Sequence, residues 1–244
     1  MDALSVAREA ASDLAREGAK AVVLVGSHAR GDAGPESDLD LLAVGPHEFS
    51  CRLERRAGSL VSTSSRPLEV HRGAFHDPGS VCTAVPGWRE AVIVHDPDGI
   101  AEALISDAEA WNWRPLERRC DGWVAERVSS LAEEVHKLLA AHRRDDLPTA
   151  AVQRSILAVH LAPILAVHRR ILYGSENRLW RLVSDAMGEE WRRTQRAALG
   201  LDDERFGETC RAALRLYRLA ADDVSHLLDG RQERVVRHTL GLIG

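Results

Sequence analysis

GSHARGDAGPESDLD, from Gly26 to Asp40, decides how this chain is read. It follows a short apolar run, Ala21 to Val25, of a length that suits a buried strand. Gly26 permits a tight turn and close backbone approach, while Ser27 brings a hydroxyl and an amide that suit phosphate oxygens. Asp38 and Asp40 are one residue apart on an expected strand, Ser37 to Val44, so their side chains share a face and Leu39 takes the other. Two strand rises separate their Cα atoms by about 6 to 7 Å. From that spacing, flexible carboxylates converge on two magnesium ions about 3.5 to 4 Å apart. Magnesium takes few carboxylates and fills its shell with phosphate oxygens and water, so an aspartate pair beside a phosphate loop is chemically coherent. Arg30 is a bidentate partner for a triphosphate. No GxxxxGK[ST] segment occurs, and Lys20 and Lys137 are the only lysines, which excludes P-loop chemistry.

Outward from this stretch, Leu4, Ala7, Ala11 and Leu14 recur at helical spacing, with Gly18 as a C-cap. Phe49, Leu53 and Leu60 suggest a helix that ends before the polar stretch 62–67. Leu68 to Arg72 alternates as a third strand, and Ala91 to His95 is a fourth, closed by the turn Asp96-Pro97-Asp98-Gly99. Helical spacing resumes over 100–110. Beyond Trp113 nothing alternates with period two: helices are expected over 124–144, 149–172 (kinked at Pro163), 176–187, 189–199, 203–228 and 232–240. The chain therefore divides into a small mixed α/β (α+β) domain, residues 1–110, and an all-α helical bundle, residues 111–244.

Composition bounds the function. Of 244 residues, 45 % are hydrophobic and 28 % charged, a globular balance. The net charge of -5 is uneven: residues 1–110 hold 10 basic and 18 acidic side chains, and the remainder 22 and 19. A mildly acidic chain without a concentrated basic stripe argues against long nucleic acid as a partner. Cys51, Cys82, Cys120 and Cys210 are dispersed, without a CxxC pair, and are expected as reduced thiols. The absence of a leader pattern or a spanning apolar run gives the expectation of a cytoplasmic protein with no membrane partner.

The apolar strand, Gly26-Ser27, a spacer and Ser37-Asp38-Leu39-Asp40 together resemble the signature of the DNA polymerase beta nucleotidyltransferase superfamily. GSHARGDAGPESDLDLL looks most like small bacterial members, including antibiotic nucleotidyltransferases and the minimal nucleotidyltransferases of toxin-antitoxin pairs. The resemblance implies that Asp38 and Asp40 bind Mg2+, two ions in all, and that Gly26, Ser27, Arg30 and Ser37 hold a nucleoside triphosphate, with ATP the expected donor. Such domains commonly carry a third carboxylate on a later strand, for which Glu69 is the candidate here, as metal ligand or as general base toward the acceptor. A helical bundle after the catalytic domain resembles aminoglycoside nucleotidyltransferases and is expected to complete the acceptor cleft. The implied reaction moves AMP, or another NMP, to a hydroxyl of a small molecule, an aminoglycoside-like antibiotic being the most specific expectation. Two other readings stay open: a protein or tRNA acceptor, and a nucleotide-binding module without catalysis.

Several residues have plainer explanations. His28 reads as an exposed loop histidine, and Asp96 to Gly99 as a turn without the later ligands of a calcium loop. Arg154 and His160 resemble in outline the arginine-histidine pair of helical ribonuclease toxins, but their spacing departs from it, and a buried helix face explains them. Trp111, Trp113, Trp123, Trp180 and Trp191 read as core or interdomain packing.

Overall fold

The structure is a computed structural model and describes residues 2–243. The chain forms two compact units, Met1–Trp113 and Arg114–Gly244.

The first unit opens with α1 (Ala3–Arg16), whose N-terminus is capped by Asp2: its carboxylate accepts the Ser5 amide at 3.0 Å. Then come β1 (Ala21–Val25), the single turn α2 (Gly26–Arg30), β2 (Leu39–Val44), β3 (Phe49–Arg56), β4 (Ser59–Arg66), α3 (Leu68–Ala74), α4 (Val81–Arg89), β5 (Val92–His95) and α5 (Ile100–Ala110). The strands form one sheet in the order β3-β4-β2-β1-β5, with β2 and β4 parallel and the other neighbours antiparallel. One face is closed by α1, where Val6, Ala7, Ala10, Ala11 and Leu14 pack on Val22, Leu24, Leu39, Leu41, Ala43 and Val61. Three alanines on that stripe let the helix lie close to the strands, and each larger side chain buried there contributes about 1.5–3 kcal/mol.

Two expected elements are different. The helix expected around Phe49, Leu53 and Leu60 is a β-hairpin, turned by Ala57 and Gly58, both with positive φ. Two left-handed residues in succession supply the twist of a two-residue hairpin turn. The pairing register shifts between Phe49 and Arg52, so Phe49 packs toward the core while Leu53 is 59 % exposed. That shift breaks the alternation expected of a strand and leaves the four-residue spacing that imitates a helix.

The second correction concerns Leu68 to Arg72, which is helix α3 and not a strand. Pro67 at its start has the φ that opens a helix, and the inward residues of the segment, His71 and Phe75, follow helical period. His71 Nε2 lies 3.2 Å from the Ala43 carbonyl and its ring meets Trp88 edge-on, tying α3 to β2. β2 also starts later than expected, at Leu39, and α4 has no counterpart among the expected elements.

The second unit is all-helical: α6 (Glu117–Ser130), α7 (Ala132–Arg143), α8 (Leu147–His168), α9 (Glu176–Met187), α10 (Glu189–Leu199), α11 (Phe206–Asp223), a short 3-10 turn (Ser225–Leu227) and α12 (Gly230–Ile243). The segment expected as one helix over 124–144 breaks at Leu131 into α6 and α7. α8 passes through Pro163 without interruption. Among the described residues it is the one helix long and apolar enough to cross a membrane, and 56 % of its most apolar window is buried in the bundle. Arg154 on α8 bonds Thr209 Oγ1 at 3.1 Å and lies over the Phe206 ring, while His160, six residues on, is exposed. The two do not form a pair.

Candidate active site

The strand register brings the quoted stretch to one end of the sheet. Val25 pairs with Asp40, so the loop leaving β1 begins beside the second aspartate of the Asp38-Leu39-Asp40 segment. Gly26 has φ +73, a left-handed conformation, and a Cβ at this position would stand 2.5 Å from Asp40 Oδ2. Glycine is therefore required twice here, by its backbone angle and by the carboxylate packed against it. Ser27 is half-buried, and its carbonyl accepts the Asp32 amide at 3.0 Å, closing α2 through the left-handed Gly31. Ser37 Oγ accepts the Gly34 amide at 2.9 Å and so braces the loop ahead of Asp38.

Leu39 is fully buried under α1, which turns Asp38 and Asp40 to the other side. Burial, and then the neighbouring Asp38 charge, push the Asp40 carboxyl up to about 6, while Arg30 and His28 act in the opposite direction. Among the described residues neither aspartate accepts a hydrogen bond from a protein donor. Two carboxylates whose charges repel each other, one of them half-buried, suit a divalent cation as counter-ion. No cluster of three or more His, Cys, Asp or Glu side chains in metal-binding geometry occurs among the described residues. Two carboxylates completed by substrate oxygens and water would be the ligand set magnesium prefers.

Arg30 is less available than expected for a triphosphate ligand. Its side chain is 13 % exposed, with Nε donating to Asp32 Oδ2 at 3.2 Å, Nη2 at 3.2 Å from Asp32 Oδ1, and Nη1 3.7 Å from Glu90 Oε2. Sequence reading misses both partners. Asp32 had a signal, two residues beyond Arg30 in a turn, whereas Glu90 joins only through the antiparallel pairing that starts β5 at this end of the sheet. His28, expected as exposed, is half-buried on α2 and close enough to influence Asp40.

Glu69 is not brought to the aspartates. From the Asp40–Ser62 pair to the Val44–Arg66 pair the parallel strands run four residues, about 13 Å, toward the opposite end of the sheet, and Glu69 lies beyond that, exposed on α3. Opposite Asp40 stands Ser62, and the β4 residues sharing its face, Ser62, Ser64 and Arg66, include no carboxylate. Glu69→Gln is accordingly expected to leave nucleotide turnover within about twofold of the unaltered protein, as for an ordinary surface substitution. A drop of a hundredfold in kcat with unchanged melting would restore Glu69 to the site.

Residues 4–71 match the family model described as Nucleotidyltransferase domain, a span that holds α1, the Gly26 loop, both aspartates and the sheet up to α3. No curated protein matches. A nucleotidyltransferase-like protein from Exiguobacterium sibiricum 255-15 superposes with a TM-score of 0.49 and 16 % identity, covering 93 % of this chain and 74 % of that one.

Proposed function

We propose that the protein, whose residues 4–71 match the nucleotidyltransferase domain, is a DNA polymerase beta-like nucleotidyltransferase that transfers AMP from ATP to a hydroxyl of a small molecule, an aminoglycoside-like antibiotic in the sharpest form of the reading. The general activity, transfer of a nucleoside monophosphate from a triphosphate, follows from the domain itself. The observation that carries the reading is the contact of the Gly26 turn with the Asp40 carboxylate, since it joins a phosphate-approachable backbone to an electron-rich pair in one place.

Within this reading each group has a task. The backbone at Gly26 admits the triphosphate closely, and Ser27 offers its hydroxyl and amide to phosphate oxygens. Asp38 and Asp40 would hold Mg2+, which supplies positive charge against the phosphates and polarises the α-phosphate. The acceptor hydroxyl gives its proton to water as its oxygen bonds to the α-phosphorus, the bond to the bridging oxygen breaks, and pyrophosphate leaves. The helical unit is assigned to acceptor selection. The four free cysteines accord with a reducing, cytoplasmic setting.

The test is a pyrophosphate-release screen with each NTP and Mg2+ against aminoglycosides, lincosamides and other hydroxylated metabolites, with an Asp38→Ala/Asp40→Ala protein as control. Release that depends on one such acceptor and vanishes in the control is expected. Release that survives the control defeats the site assignment, and label from ATP appearing in protein or RNA of a lysate defeats the small-molecule acceptor.

A further inference from the structure

We propose that Asp32 and Glu90 set the affinity of the Gly26–Arg30 loop for polyphosphate by competing with it for the Arg30 guanidinium. The inference rests on the triphosphate site proposed above and adds a tuning device that the motif does not contain.

Three observations carry it. Arg30 lies on the turn that follows Gly26, with its side chain largely enclosed. Its contacts are unequal: Asp32 takes Nε and Nη2 in a fork at 3.2 Å, whereas Nη1 reaches Glu90 only at 3.7 Å, beyond hydrogen-bond length. Finally, the two competitors come from different places: Asp32 is on the same turn, while Glu90 ends α4 just before β5. A phosphate oxygen offered to Nη1 thus replaces the long Glu90 contact with a charge-assisted hydrogen bond, while Asp32, still held in its fork, competes by neutralising part of the guanidinium charge. The exchange frees the Glu90 carboxylate from Arg30. Polyphosphate then binds with part of its attraction to Arg30 already offset by two carboxylates, which favours release of pyrophosphate.

The direction of the effect separates this role from simple bracing. If the carboxylates compete, neutralising either one makes Arg30 more available and tightens anion binding. If they merely hold the loop in shape, the same change loosens it and weakens binding. The measurement is titration calorimetry of inorganic tripolyphosphate, which presents no base, with and without Mg2+ at fixed ionic strength. Glu90→Gln and Asp32→Asn are each expected to lower Kd roughly two- to fivefold, the scale of a partly screened ion pair. In an Arg30→Met background the Glu90→Gln change is expected to have no effect, the non-additivity that marks a direct coupling. Melting curves establish that each variant is folded, and if one is not, the other carries the test. A Kd that is unchanged or raised in folded variants overturns the competition. Failure of the unaltered protein to bind tripolyphosphate at all removes the triphosphate site, and this proposal with it.

Discussion

Asp40→Asn is expected to abolish transfer and, at the same time, to make the metal-free protein more stable at neutral pH. The Asp40 carboxyl is held at about 6 in the folded chain against an ordinary 3.8. Between those values the folded state binds more protons than the unfolded one, so stability falls as pH rises from about 3.8 through about 6 and stays lower above that. At neutral pH the ionised group therefore destabilises the fold. The full shift corresponds to about 3 kcal/mol, and because Asp40 is only half-buried, solvent screening reduces that to about 1–2 kcal/mol. Asparagine has nearly the same shape and no charge. In EDTA at pH 7.5 the variant is expected to melt about 2–5 °C higher, with the difference shrinking toward pH 5 as the unaltered carboxyl protonates. Transfer with Mg2+ is expected to fall by at least about 10²–10³, the scale for losing a main electrostatic group of an active site. A variant that melts at or below the unaltered protein at pH 7.5 would show that Asp40 is not strained by its charge. Undiminished pyrophosphate release would exclude it from the chemistry.

Gly26→Ala is expected to damage the same site by shape alone. An alanine at φ +73 costs about 1–2 kcal/mol for its left-handed backbone. Its Cβ also meets Asp40 Oδ2 at 2.5 Å and Cγ at 3.4 Å, so the carboxylate must swing away from its place beside Asp38. A displacement of about 1 Å at a reacting centre costs on the order of 10² in rate. Gly31 supplies the matched control. It has φ +78, but nothing lies within 4 Å of a Cβ built there. Gly31→Ala should therefore lose similar stability in urea unfolding and keep most of its transfer activity, whereas Gly26→Ala loses both. Equal activity in the two variants would mean that the contact with Asp40 does not matter to the reaction.

The proximity of the Gly26 loop to the aspartate pair was legible because these residues lie close together in the chain. Gly26, Ser27, Asp38 and Asp40 lie within fifteen residues, and one antiparallel pairing brings Val25 and Asp40 together. Local spacing carries information of this kind directly. Glu69 was misread because Leu68 and Val70 alternate like a strand, while the feature that mattered was Pro67, which opens a helix. The β3–β4 hairpin was hidden by its register shift, which places two apolar residues four apart on opposite sides of one strand. Glu90 could not be found locally, since its contact with Arg30 joins residues sixty apart through the pairing of β1 with β5. In the helical unit the period was plain but breaks such as that at Leu131 were not, because the residue there stays close to helical geometry and changes no pattern.

The irregular strand β3 has a further consequence, for behaviour at high concentration. It is an outermost strand of the sheet, pairing with β4 alone, and its open backbone edge is a template on which a second chain can stack. Leu53 at 59 % exposure and Leu60 at 48 % would make such stacking adhesive. The shifted register interrupts the straight run of unpaired amides, and Arg52, Glu54, Arg55 and Arg56 crowd the same strand with charge, so the device that obscures β3 in the sequence also guards the folded chain against edge-to-edge aggregation.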